Sequence, residues 1–283
     1  MKPRTSAVLL LVLASTLWST SGVLIKSIQW SPLALAGARG LIAAITISLL
    51  LPGGFKPREL TRGHVLAACF LAVLSLLFVQ AMKMAPAANV IVLQYTAPLW
   101  VAFLAPLILR ERTSGRDWAF MGLIFGGVVL FFVDGLSMSG FWGNVLALAS
   151  GLLFGAQAIA LGKIKKRSPA QAIILGNLLT FFLGLPAWGG PWPDLGGGLM
   201  ILVLGVGQMG LAYYCFSLAV PRVSSLELVL IPMLEPIICP IWVFLVLHEV
   251  PGRWAVAGAL VVIVSVTSWS LLKARDAATL MRN

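Results

Sequence analysis

Residues 63–82 read GHVLAACFLAVLSLLFVQAM, twenty positions between Arg62 and Lys83 without an acid, a lysine or an arginine. At ~1.5 Å per residue, a helix of this length covers roughly 30 Å, the thickness of a bilayer's hydrocarbon core. Nine further runs meet the same test, at approximately 6–26, 32–51, 87–109, 117–133, 141–162, 170–187, 198–219, 224–247 and 254–272. The chain is therefore expected to be an all-α integral membrane protein of ten transmembrane helices. Turn and interface residues occupy the junctions: Ser31-Pro32, Pro52-Gly53-Gly54, Ser168-Pro169 and Gly189-Gly190-Pro191-Trp192-Pro193.

Composition supports the same conclusion. Hydrophobic residues make up 60% of the 283, charged residues only 10%, and the mean hydropathy is +1.00. So few charges cannot cover the surface of a soluble fold, and the exterior must meet hydrocarbon. A net charge of +11 would suggest nucleic acid in a soluble protein. Here the cations fall in short clusters between apolar runs, which is how topology is encoded, and no nucleic-acid partner is expected. Cys69, Cys215 and Cys239 are too scattered for a disulfide framework or a zinc site and read as small core hydrophobes. The first run follows Lys2 and Arg4 and continues to about residue 25, long enough to span rather than to be cleaved.

Lysine and arginine set the orientation. With a cytoplasmic N-terminus, the inside segments hold Lys2 and Arg4; Lys56, Arg58 and Arg62; Arg110, Arg112 and Arg116; Lys163, Lys165, Lys166 and Arg167; Arg222; and Lys273, Arg275 and Arg282, 16 cations in all. The outside segments hold only three, Lys26, Lys83 and Arg253. Both termini are thus expected in the cytoplasm of a cell with an inner membrane, and Trp188 and Trp192 at the outer interface.

The halves resemble one another. Moving 138 positions takes Phe78 to Phe216, Ala81 to Ala219, Pro98 to Pro236 and Glu111 to Glu249. With a shorter loop, Trp118 and Gly122 fall on Trp254 and Gly258; nearer the starts, Leu13-Ala14-Ser15 matches Leu148-Ala149-Ser150 and Ser31-Pro32 matches Ser168-Pro169. Five helices per half is an odd number, so the repeats, 6–134 and 141–273, are expected in opposite orientations. Such inverted repeats allow two nearly equivalent tilts of one half against the other, the basis of alternating access.

Leu17-Trp18-Ser19-Thr20, Arg39, Pro98 with Glu111, and Leu234-Glu235-Pro236 with His248-Glu249 together resemble the twice-repeated EamA domain of the drug/metabolite transporter superfamily. Within it the chain is most similar to bacterial amino-acid exporters, the aromatic amino-acid exporters among them. The resemblance implies a ten-helix exporter of small metabolites with a central cavity between the halves. The resemblance does not by itself identify the cargo. Together with the chain's aromatic and amide set it leads to an expected amino-acid cargo, aromatic and other large apolar ones included, with a multidrug or other metabolite exporter as the alternative. It places an acid at the position of Glu235 over varied cargoes. Partners are then the substrate and the bilayer, the oligomeric state is left open with a monomer compatible, and no cofactor or metal is called for.

Polar groups inside apolar runs are the site candidates, because burying them in hydrocarbon is costly. Glu235, between Pro232 and Pro236, reads either as a proton or substrate-ammonium site or as a neutral structural acid bonded to a neighbouring helix. Arg39 reads as a bidentate partner for a substrate carboxylate or, more readily, as a structural group that pairs with an acid or carbonyls or snorkels. Glu111 and Glu249 read as interfacial helix-end pairs or, less readily, as gate contacts. Trp18, Tyr95, Trp100, Gln157, Gln208, Tyr213 and Tyr214 form an aromatic and amide set suited to an amphipathic solute, of which three or four are expected to line the cavity. Gly122/Gly126 and Gly151/Gly155 are small-xxx-small pairs for close helix packing.

An enzyme is disfavoured. There is no HExxH, His64 and His248 fall at helix ends, and Gly205-Val206-Gly207 leads to Gln208 rather than a catalytic aspartate. A channel would show a ring of like charges or a carbonyl filter. Proton coupling, if present, falls to Glu235; a facilitator driven by the cargo's own gradient is favoured, because helix shape accounts for an acid between prolines.

Overall fold

The computed structural model describes residues 3–85, 87–109, 114–131 and 140–239, Trp242, and positions 254, 256–258, 260–261, 264–265, 268–269 and 271–272. Among these residues the architecture is helical, with no strand. In chain order the helices are α1 (Pro3–Trp18), α2 (Ser21–Ser27), α3 (Pro32–Leu50), α4 (Arg62–Met84), α5 (Ala87–Gln94), α6 (Ala97–Leu109), α7 (Gly115–Phe131), α8 (Phe141–Lys163), α9 (Pro169–Gly184), α10 (Leu195–Val203), α11 (Ala212–Ala219) and α12 (Ser225–Leu230). Six stretches of the described residues are long and apolar enough to cross a bilayer: Pro3–Ser27, Pro32–Leu50, Arg62–Met84, Phe141–Lys163, Pro169–Gly189 and Leu195–Arg222. The expected spans 224–247 and 254–272 lie partly outside the described residues, as do Glu111, His248 and Glu249 entirely.

Several spans are interrupted, each for a chemical reason. Between α1 and α2 the hydroxyls of Ser15, Thr16, Ser19 and Thr20 all donate to carbonyls three or four residues back. Such back-bonding competes with the helix ladder, and the chain turns at Ser19-Thr20. The expected span 87–109 is two helices rather than one. Pro98 has no N–H for the Gln94 carbonyl, and the turn at Tyr95-Thr96 is tightened by Thr96 Oγ1 donating to Leu93 O at 2.8 Å. After α12 a tight 3₁₀ turn, Ile231–Leu234, carries Pro232 and gives way to helix at 235–239, where Pro236 stands. Between α10 and α11 the segment Leu204–Leu211 widens into a π-helix.

Glycines set the closest approaches. A Cβ on Gly151 would meet Gln94 O at 2.7 Å, and one on Gly155 would meet Ala97 O and Trp100 Cβ at 3.1 Å. The small pair on α8 thus seats that helix on the α5–α6 break. The pair on α7 does not do the same: no described atom lies within 4 Å of a Cβ on Gly122 or Gly126. Helices α3 and α9, which share the Ser-Pro start, touch where Gly184 would place a Cβ 3.0 Å from Gly37 Cα, and Gly40 one 2.9 Å from Asn177 O. Against the π-helix, Gly205 and Gly210 admit Ile42 and Thr46 of α3, with added Cβ atoms 2.6 Å from Ile42 Cγ2 and 2.7 Å from Thr46 Cβ.

Polar contacts tie distant segments together. Arg4 on α1 donates to Glu227 through Nε at 3.0 Å, while Glu227 caps α12 by accepting from Ser224 N. Trp269 donates to Asp117 at the start of α7 over 2.9 Å. Trp30, Trp188 and Trp192 pack with ring centres 5.4–5.7 Å apart, a cluster of the kind membrane proteins place at an interface. Cys215 and Cys239 are buried, but Cys69 is exposed on α4 and is not a core residue.

Candidate functional site

The interruptions converge on one cavity. Its wall comprises Trp18 at the end of α1, Arg39 on α3, Leu74, Ser75 and Phe78 on α4, and Gln94 and Tyr95 at the α5–α6 break. Phe154 of α8, Gln208 and Met209 of the π-helix, Tyr213 of α11 and Glu235 beyond the Ile231–Leu234 turn complete it. The space between these side chains is narrow, with about 50 Å³ that admits the centre of a water molecule. One water needs roughly 10–15 Å³ on that measure, so the cavity as it stands holds a few waters and no larger solute.

Arg39 is 2% exposed. Its Nη1 donates to Gln208 Oε1 at 3.3 Å and its Nη2 to Ser75 Oγ at 3.1 Å, while Nε is buried without a hydrogen-bond acceptor. Neither partner carries charge, and no acid pairs with Arg39 among the described residues. Of the structural partners expected, an acid is not paired with this guanidinium among the described residues; a carbonyl is, the side-chain amide of Gln208. The π-helix explains the Gln208 contact, since the glycines that admit α3 bring Gln208 against it.

Glu235 is buried, and its partner is Tyr95. The Tyr95 hydroxyl oxygen lies 2.7 Å from Glu235 Oε2 and 2.7 Å from the Pro232 carbonyl oxygen. A phenol has one proton and can donate to only one of these. Both contacts are hydrogen bonds only when the carboxyl also carries a proton and donates to the phenol oxygen. The two proline-bearing breaks are thus joined by a chain of three oxygens, across a sequence separation of 140.

Aromatic rings make the other side. Trp18, 7% exposed, sits 5.1 Å from Tyr213, 5.5 Å from Phe216 and 6.2 Å from Phe154, centre to centre. Behind it Trp242 Nε1 donates to Ser19 Oγ at 2.8 Å.

Of the residues marked out from sequence, Trp18, Arg39, Tyr95, Gln208, Tyr213 and Glu235 share this wall. Trp100, Gln157 and Tyr214 do not line it. Trp100 is 36% exposed and packs by its Cβ on Gly155; Gln157 is buried on α8, its amide atoms without hydrogen-bond partners among the described residues; Tyr214 packs at the edge of the main core. Sequence reasoning passed over Leu74, Ser75, Phe78, Gln94, Phe154 and Met209. Ser75 was the recoverable one, as the lone hydroxyl in the run 63–82 and three residues before the aromatic Phe78.

A model of the EamA-like transporter family matches the chain twice, over residues 5–133 and 141–271. A solved crystal structure superposes on 95% of this chain and 98% of its own with a TM-score of 0.80, at 19% sequence identity, a likeness of fold.

Proposed function

The chain belongs to the EamA-like transporter family, a family of membrane transporters for small metabolites, and on that premise we propose that it exports amino acids, those with large apolar or aromatic side chains foremost. One observation carries the proposal: Arg39 is buried in the cavity with neutral hydrogen-bond partners, and no acid pairs with it among the described residues. A buried guanidinium with uncharged neighbours is poorly compensated, and a substrate carboxylate supplies the missing charge in a two-pronged contact. Trp18, Phe154 and Tyr213 offer ring faces for a side chain and for an ammonium group. The small free volume calls for a shift of the walls on loading, as alternating access provides.

Flux into proteoliposomes tests this. A panel of radiolabelled amino acids, nucleosides and cationic drugs should show saturable, countertransport-stimulated movement of large apolar amino acids. Drug flux with no amino-acid flux would move the assignment to the multidrug alternative, and ohmic conductance would make the protein a channel.

The same proposal includes ten helices in two inverted repeats, 6–134 and 141–273, in a cell inner membrane with both termini cytoplasmic. Single cysteines in 163–167 should label only from the cytoplasm and those in 189–194 only from outside. Reversed labelling would end the inverted-repeat topology.

A further inference from the structure

Away from the cavity, the loop before α4 and the loop before α9 enclose a second hollow. Gln171 fastens them, accepting from Lys56 N at 2.8 Å and donating to Gly54 O at 2.9 Å. His64, 1% exposed, bonds to the backbone at Arg167 and Ser168, and its Nδ1 accepts from Thr61 N at 3.2 Å. Gly63 leaves room for Ile164, whose Cγ2 would stand 2.7 Å from an added Cβ. The hollow left between the loops has about 520 Å³ open to water-sized molecules and is lined by Arg58, Glu59, Thr61, His64, Lys166 and Arg167, with Leu60 and Ser168. Glu59 is paired with Lys56 at 3.2 Å, so it does not neutralise the hollow. Arg58, Lys166 and Arg167 have no acidic partner among the described residues.

Three cations without an acidic partner among the described residues, set around a hollow of this size, suit phosphate oxygens, which Arg and Lys hold through charge-assisted hydrogen bonds. Helices α4 and α9 begin at its edge and add the positive ends of their dipoles. What covers the site is indicated by α4 itself. Arg62, Val65, Leu66, Cys69 and Val73 are exposed along one stripe leading from the hollow, Val65 by 45%, Leu66 by 49% and Val73 by 42%. In a bilayer such a stripe faces acyl chains, and basic pockets at the ends of transmembrane helices hold anionic headgroups.

We propose that this hollow is a binding site for an anionic phospholipid, its phosphate held by Arg58, Lys166 and Arg167 and its acyl chain laid along the α4 stripe. Bound there, the lipid bridges the loops of the two sequence repeats and stabilises the folded state by mass action.

Thermal unfolding of the full chain in neutral detergent, with phosphatidylglycerol, phosphatidylcholine or inorganic phosphate added, tests the site. Phosphatidylglycerol should raise Tm by several degrees and phosphatidylcholine should not. The combined variant Arg58→Gln/Lys166→Gln/Arg167→Gln should keep its Tm in detergent alone and lose the lipid shift. Lys163→Gln/Arg222→Gln, which removes exposed cations outside the hollow, should retain the shift. Equal stabilisation by phosphatidylcholine, or equal loss in both variants, overturns the site; equal stabilisation by inorganic phosphate overturns the lipid as its occupant. If the triple variant proves unstable by itself, bound lipid counted by native mass spectrometry on Arg167→Gln decides: unchanged occupancy refutes the proposal.

Discussion

The two proline-bearing breaks sit at matching places in the repeat, yet they carry different chemistry. Pro98 and Pro236 are 138 positions apart, and each follows an interruption of the helix before it. On the same shift Tyr95 corresponds to Met233, Gln94 to Pro232 and Ala97 to Glu235. The first break thus presents a phenol to the cavity, the second an acid and the Pro232 carbonyl, and these meet. A second pair of positions differs as sharply. With Ser31-Pro32 placed on Ser168-Pro169, 137 positions on, Arg39 corresponds to Gly176. A Cβ at Gly176 would stand 2.8 Å from Leu71 Cδ2, so the second half has packing where the first has a cation. Repetition supplies the breaks; substitution at matching positions supplies the polarity.

The Arg39/Gly176 contrast can be broken by exchanging the kinds of residue. Arg39→Met removes the cation while filling its volume, a change that buried ion sites often tolerate in stability. Two charge-assisted hydrogen bonds of about 1.5 kcal/mol each to a carboxylate amount to roughly a hundredfold in transport per folded molecule. Initial rates at matched amounts of folded protein check this, and unchanged rates would make Arg39 structural. At Gly176 the expected effect is on folding. Gly176→Val should lower stability by about 1–3 kcal/mol through overpacking against Leu71 and Ala68. Denaturation midpoints measure it, and a loss of transport from fully stable protein would contradict the contrast.

The pairing of the breaks gives a smaller effect. Tyr95→Phe removes the phenol that bridges Pro232 and Glu235. Its net stability cost should be about 1 kcal/mol, the value of an ordinary hydrogen bond. A double-mutant cycle with Glu235→Met, which fills the volume but removes the carboxyl, should show the two changes to be strongly non-additive. Additivity would mean that the breaks are not coupled.

The six spans found among the described residues were legible because an apolar run of about twenty residues has one use in a chain with so few charges. The breaks were partly legible. Pro98 and Pro232 announce lost hydrogen bonds, but Ser15, Thr16, Ser19 and Thr20 act through hydroxyl geometry that residue type alone does not fix. Arg39 and Glu235 stood out as charges in hydrocarbon, and both line the cavity. Trp100, Gln157 and Tyr214 were chosen by residue type alone, which leaves the face of a helix undetermined. Neighbouring Tyr213 and Tyr214 show the difference, since one lines the cavity and the other does not. The π-helix was hidden altogether. Its wider turn shifts the register that places Gln208 on Arg39, and no periodicity of 3.6 anticipates it.

The smallest effect is expected at Glu235, and it decides what joining the breaks is for. In the oxygen chain from Pro232 through Tyr95 to Glu235, both contacts are satisfied when the carboxyl is protonated. Gln has the same shape and an amide N–H₂ that can donate to the Tyr95 oxygen in place of that proton. Glu235→Gln should therefore leave stability and downhill exchange of cargo within about threefold of the parent, less than the worth of one neutral hydrogen bond. That result fits a facilitator in which the acid shapes the second break. A proton-coupled exporter behaves otherwise, because its carboxyl must release the proton when cargo arrives and an amide cannot. Uphill transport driven by a pH gradient separates the two. If the parent concentrates cargo under such a gradient and Glu235→Gln retains exchange but loses concentration, the oxygen chain is a proton gate and the facilitator reading fails. If the parent shows no response to the gradient, the asymmetry of the two breaks concerns helix shape, and cargo recognition rests on the first half's cation.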